Sequence, residues 1–136
     1  MASEMYASVK ALVEKEGKIL MLKVEMDGTV FHALPGGKVE YGETPKEALV
    51  RELEEETSLD VTPDEPVGMY YFYVGARSDG DQVVVTVWDV DWDGDVCLNS
   101  VDGDGEGFVG FEWVEPEDLD DLNAAPELIN LLEDLY

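Results

Sequence analysis

Positive charge is what this 136-residue chain has least of: eight Lys and Arg stand against 33 Asp and Glu, for a formal net charge of −25. Seven of the eight basic residues fall within positions 1–60, and Arg77 is the eighth. Binding DNA or RNA through phosphates needs a basic face, and anionic membrane surfaces need one too. Neither polymeric nucleic acid nor membrane is an expected partner. Cys97 is the lone cysteine, so no intrachain disulfide can form, which suits a reducing compartment. No stretch of about 18 apolar residues is present and no signal-peptide pattern opens the chain, so the expected location is cytoplasmic. There is no internal repeat and no Pro/Ser-rich linker. A hydrophobic content of 45% with 10% aromatics fits one folded domain over residues 1–136.

Such an excess of acid repels itself, and concentrated salt screens the repulsion. The composition resembles that of cytosolic proteins from extreme halophiles. The other use of an acidic surface is docking a basic partner. Oligomeric state is left open, a homodimer included.

Chemistry concentrates between Gly37 and Leu59. Thr44-Pro45-Lys46-Glu47 reads as a helix start, with Thr44 as cap, Pro45 at the first helical position and Glu47 closing a capping box. Thr57 and Ser58 are weak helix formers and mark its end. Glu52, Glu55 and Glu56 lie at i, i+3 and i+4, which puts all three on one helix face. Like charges so placed repel, and a cation resolves the conflict; oxygen ligands suit Mg²⁺ or Mn²⁺. Leu49 and Leu53 flank the stripe and place it at the edge of a core. Pro35-Gly36-Gly37 precedes the helix, where glycine lets backbone approach a ligand closely. Arg51 can fork onto a carboxylate such as Glu43.

This segment resembles the Nudix box, glycine-x5-Glu-x7-Arg-Glu-aliphatic-x-Glu-Glu-x-Gly-aliphatic, from Gly37 to Leu59, except that Ser58 stands where the family has glycine. The resemblance implies a single-domain α/β/α sandwich with a mixed central β-sheet. It also implies divalent-metal-dependent hydrolysis of a nucleoside diphosphate linked to another moiety. Glu52, Glu55 and Glu56 become the expected metal ligands, joined by the Gly36 carbonyl. Glu43 and Arg51 are expected to hold loop and helix in register, and Lys38 and Glu40 to meet phosphate or metal-bound water. The general base is left among Glu52, Glu106 and Glu112. Small members point first to a nucleoside triphosphate cleaved to monophosphate and pyrophosphate, then to ADP-ribose or a similar derivative. Leu34 stands where the MutT-like subgroup carries an aromatic, and Asn123 lies only near the position of its C-terminal asparagine. The competing class is a silent nucleotide- or protein-binding module. A nucleotide is an anion, so an acidic chain is expected to receive it with metal.

Elsewhere, Tyr6–Val13, Lys18–Val24, Thr29–Leu34, Gly68–Val74, Gln82–Val90 and Phe108–Val114 read as strands. Asp27-Gly28 reads as a hairpin turn, residues 91–107 as a loop, and Glu127–Leu135 as a helix with Leu128, Leu131, Leu132 and Leu135 facing the core. Alternate members of Tyr70-Tyr-Phe-Tyr73 are expected in the core, with one from the other face available to stack a base. His32, the only histidine, reads as structural. Asp102-x-Asp104-x-Glu106 imitates a calcium loop, but Trp113 stands where its bidentate glutamate belongs.

Overall fold

The computed structural model describes residues 4–74, 80–99 and 107–136. In chain order the elements are β1 (Met5–Leu12), β2 (Glu14–Lys15), β3 (Lys18–Met26), β4 (Thr29–Ala33), β5 (Gly36–Lys38), α1 (Pro45–Thr57), β6 (Asp60–Val74), β7 (Asp81–Asp93), β8 (Gly107–Val114), a 3₁₀ turn (Pro116–Asp121) and α2 (Pro126–Leu135). Two tight turns with both central residues at positive φ join the early strands: Glu16-Gly17 between β2 and β3, and Asp27-Gly28 between β3 and β4. That geometry matches the strand twist, and glycine permits it.

The mixed sheet of the expectation is realised as two four-stranded sheets. One runs β5-β1-β7-β6, and in it β1 pairs parallel with β7 while β5 and β6 pair antiparallel. The other is antiparallel, β2-β3-β4 with β8 also paired to β3. Period-two alternation sends side chains to two cores. Val9, Ala11, Leu20 and Leu22 join Ala48, Leu49 and Leu53 of α1 on one side. Leu12, Ile19, Met21, Val83, Val85 and Val87 join Leu128 and Leu132 of α2 on the other. The result is the α/β/α layering expected from the resemblance.

Several boundaries differ from expectation. β6 starts at Asp60 rather than Gly68, because Pro63 and Pro66 punctuate it without ending it. The pairing register with β7 shifts around both prolines, and β6 is an edge strand of its sheet, where a missing N–H is tolerated. Gly36–Lys38, expected as loop, pairs with β1. β7 runs on to Asp93, into the expected 91–107 loop. Leu135 is 38% exposed, at the last turn of α2, while Leu131 packs against Gly68. Arg77 lies outside the described residues. Among the described residues no helix is long and apolar enough to cross a membrane.

Candidate metal and phosphate site

α1 starts as its sequence dictates. The Glu47 N–H donates to Thr44 Oγ1 at 3.1 Å and the Thr44 N–H to Glu47 Oε1 at 2.9 Å, a reciprocal capping box. Ala48, Leu49 and Leu53 are fully buried, so the helix cannot rotate about its axis without exposing them. That fixes the direction in which Glu52 and Glu56 project.

They project onto β5. Pairing with β1 sets Gly36 opposite Lys10 and Gly37 opposite Val9. Gly36 has φ +143°, and a Cβ there would lie 2.0 Å from the Val9 carbonyl oxygen. A Cβ on Gly37 would lie 2.5 Å from Glu52 Oε2. Both glycines are therefore required by close approach, the first to a neighbouring strand and the second to a helix carboxylate. The Gly36 N–H donates to Glu56 Oε1 at 2.8 Å, and Lys10 Nζ donates to the Gly36 carbonyl at 3.4 Å.

Arg51 organises the remaining carboxylates. Its Nε and one terminal nitrogen fork onto Glu43 at 2.7 and 3.0 Å. The other terminal nitrogen donates to Glu52 at 2.9 Å and Glu55 at 3.4 Å, and Glu40 lies 3.9 Å away. The Lys38 carbonyl accepts from Arg51 at 3.1 Å, and Glu43 also accepts from the Glu40 N–H at 2.9 Å. Loop and helix are thereby joined, the role expected of Glu43 and Arg51. These hydrogen bonds hold the Glu43 carboxyl down to about 2, and the same contact raises the Arg51 guanidinium. Glu52 and Glu56 move the other way. Burial disfavours their charged forms, raising Glu52 against the opposing pull of Arg51 and pushing Glu56 up to about 7.

Whether these residues fit a divalent cation turns on the donor set. The donors are hard oxygens crowded on one face, and two of them are destabilised by burial, as suits Mg²⁺ or Mn²⁺. Among the described residues, no three acidic, histidine or cysteine side chains converge closely enough to hold a metal in this conformation. Glu52 and Glu55 are turned onto the Arg51 guanidinium. The donor set fits a divalent cation.

The structure thus gathers Gly36, Gly37, Glu52 and Glu56, and links Lys38, Glu40, Glu43 and Glu55 to them through Arg51. Glu112 belongs to a different cluster. It lies on β8, with His32 Nε2 2.8 Å and Lys23 Nζ 4.0 Å from its Oε1. His32 Nδ1 is buried with no hydrogen-bond partner, consistent with a structural histidine. Glu106 lies outside the described residues. Two contributors were not legible in sequence. Lys10 reaches the site only through the β1–β5 pairing, which no local spacing announces. Asn99, from the expected loop, donates to backbone carbonyls at the end of α1. The aromatic run behaves as expected in part: Tyr70 and Phe72 stack toward the core at 6.4 Å, and Tyr71 and Tyr73 meet edge-on at 6.0 Å.

Known proteins resemble this chain along most of its length. The chain is 31% identical over 133 residues to the CTP pyrophosphohydrolase of Escherichia coli K12, covering 96% of this chain and 90% of that protein. It is 44% identical over 64 residues to the ADP-ribose pyrophosphatase of Methanocaldococcus jannaschii, covering 46% of this chain and 38% of that protein. Among solved structures, the MutT protein from Methanosarcina mazei Go1 superposes with a TM-score of 0.82 at 25% identity, covering 98% of this chain and 94% of that one. The family model for the NUDIX domain matches residues 5–135, so nearly the whole chain carries the likeness that the box first suggested, and it belongs to the Nudix family.

Proposed function

We propose that this Nudix enzyme hydrolyses a nucleoside triphosphate to the monophosphate and pyrophosphate, with Mg²⁺ or Mn²⁺ held by Glu52, Glu55 and Glu56 and by the Gly36 carbonyl. The observation that carries the reading is the contact of the Gly36-Gly37 backbone with two half-buried helix carboxylates. A bound divalent ion supplies charge neutralisation at the diphosphate and activation of the attacking water. The chain supplies position. Glu43 and Arg51 fix the loop against α1, Lys10 offsets negative charge beside Gly36, and Glu52 is the best supported base. Its support is its place against Gly37 within the cluster, where burial raises its carboxyl, whereas Glu112 lies on β8 beside His32 and Lys23.

A groove of about 520 Å³ runs between Phe31, Phe72, Tyr73 and the turn from Asn123 to Ala125, and its apolar walls suit a nucleobase. The Asn123 side-chain amide donates to the Val30 carbonyl at 2.9 Å, and the Asn123 backbone carbonyl accepts from the His32 N–H at 2.7 Å. That side chain ties the groove wall to β4, so a preference for oxidised guanine read by this amide is not part of the proposal. Similarity to a CTP pyrophosphohydrolase over nearly the whole chain supports the triphosphate reading. The shorter match to an ADP-ribose pyrophosphatase supports ADP-ribose as the second substrate class.

The test is release of pyrophosphate and phosphate from a nucleotide panel with Mg²⁺ or Mn²⁺ in high salt, comparing wild type with Glu55→Gln. Pyrophosphate release lost in the variant sustains the proposal. Turnover of ADP-ribose alone transfers it to the second class. No turnover by folded, metal-bound protein would make this a Nudix-fold binding module.

A further inference from the structure

α1 carries its metal-ligand candidates where a helix least favours them. Glu54, Glu55 and Glu56 sit in the last turn, at the negative end of the helix dipole, and no basic residue is present there. The cap is Ser58 at φ +64°, a left-handed conformation that a non-glycine residue adopts at a cost. The last turn should fray, yet its carbonyls are all satisfied. The Glu54 carbonyl accepts from the Ser58 N–H at 3.1 Å and from Asn99 Nδ2 at 3.4 Å. Asn99 Nδ2 also donates to the Glu55 carbonyl. The Asn99 backbone N–H donates to the Glu56 carbonyl at 3.1 Å, and the Cys97 N–H to the Thr57 carbonyl at 2.9 Å.

The strap that makes these bonds is itself anchored. Val96 and Leu98 pack against the core beneath α1, and Ser58 Oγ donates to the Cys97 carbonyl at 3.1 Å. Asn99 thus clamps the backbone of Glu55 with its side chain and that of Glu56 with its own N–H.

We propose that Asn99 is a positioning residue for the metal site: it holds the last turn of α1 so that Glu55 and Glu56 present their carboxylates together with Glu52. Glu52 lies a turn earlier and does not depend on the strap. This rests on the assignment of Glu52, Glu55 and Glu56 as metal ligands. Without the clamp the turn is ordered only part of the time, and apparent metal affinity falls by that fraction.

The experiment measures Mn²⁺ binding to the whole protein by titration calorimetry, alongside the thermal midpoint. The variants are Asn99→Ala and the double variant Asn99→Ala with Ser58→Gly. In Asn99→Ala the Mn²⁺ dissociation constant should rise about tenfold, the effect of one or two lost hydrogen bonds. Saturating Mn²⁺ should restore turnover, because bound metal reorders the turn. Glycine at position 58 relieves the strained cap and should recover the thermal midpoint, but it replaces neither Asn99 bond to the Glu54 and Glu55 carbonyls, so the Mn²⁺ constant should stay raised. An unchanged constant in folded Asn99→Ala overturns the inference. So does recovery of the constant together with the midpoint, which would make Asn99 an ordinary contributor to stability. Failure of the wild type to bind Mn²⁺ would instead overturn the ligand assignment on which the inference stands.

Discussion

Around α1 a single guanidinium serves four carboxylates; on the second sheet two basic side chains serve one. Arg51 has Glu43 at 2.7 Å, Glu52 at 2.9 Å, Glu55 at 3.4 Å and Glu40 at 3.9 Å. Glu112 has His32 at 2.8 Å and Lys23 at 4.0 Å. The first cluster is short of positive charge and partly buried, and the strain appears at Glu56, which forms no ion pair with Arg51 and is pushed up to about 7 by burial. The second is charge-satisfied. A cluster in the first condition stores an affinity for cations, because any cation that enters relieves both repulsion and desolvation. The second gains little from one. Of two acidic sites in one very acidic chain, local charge deficit, rather than acid content, marks the one suited to metal chemistry.

The widest separation between the clusters should come from paired substitutions. Glu56→Gln keeps shape and removes the charge of a proposed ligand, and turnover should drop on the order of 10²–10³-fold, the range for losing one preorganised electrostatic partner. Glu112→Gln should cost less than about tenfold, since proton transfer by a true base is worth about 10²–10⁴. Steady-state kinetics at saturating Mg²⁺ decides it, and equal losses would erase the distinction. Next in size is Arg51→Lys. A point charge cannot fork onto Glu43 while reaching Glu52, so loop and helix lose register, with an expected fall of roughly 10–100-fold in kcat/KM.

Glu56 should also show opposite signs in stability and activity. Its folded carboxyl titrates at about 7, above its ordinary value of 4.5, so the neutral form is favoured in the fold. The stability it contributes is fully present below pH 4.5 and is lost as pH rises through about 7. In EDTA at pH 8, Glu56→Gln should therefore be more stable than wild type by up to about 2 kcal/mol, converging at pH 4.5. Urea unfolding at both values measures this. Glu43 behaves inversely: with its carboxyl held down to about 2, its contribution is present above pH 4.5 and is lost as pH falls through about 2. Because the Glu56 carboxyl takes up a proton as pH falls through about 7, Mn²⁺ should bind wild type progressively more weakly below pH 7.

What was legible in sequence is what short spacing encodes. Thr44, Pro45 and Glu47 announced the start of α1, Thr57 and Ser58 its end, and the i, i+3, i+4 glutamates their shared face. The Gly36-Gly37 approach was legible as a need for close contact, though not as a strand, because its partner β1 lies far upstream. Lys10 was illegible for the same reason: pairing across a sheet places it. Asn99 was hidden differently. It belongs to a stretch rich in Asp and Gly that reads as solvated loop, and only the unmet carbonyls of α1 give it a task. The N-terminal half of β6 was lost to Pro63 and Pro66, which end a central strand and merely shift register at an edge.

The smallest expected effect is at Lys23. Its ammonium lies 4.0 Å from Glu112, and the two side chains are 38% and 41% exposed, so water and salt screen the pair. Exposed pairs of that kind contribute about 0–1 kcal/mol, and His32 remains at 2.8 Å to satisfy the carboxylate. Lys23→Gln should therefore change unfolding free energy by less than about 0.5 kcal/mol. Turnover should stay within about threefold, the kinetic equivalent of less than about 1 kcal/mol. Molar salt should remove what difference there is, as screening shortens to about 3 Å. A larger kinetic loss, confined to KM and abolished by salt, would mean that Lys23 meets an anionic substrate. The second cluster would then be a phosphate contact that happens to look satisfied in the absence of ligand, and the contrast with α1 would reduce to which part of the same substrate each cluster handles.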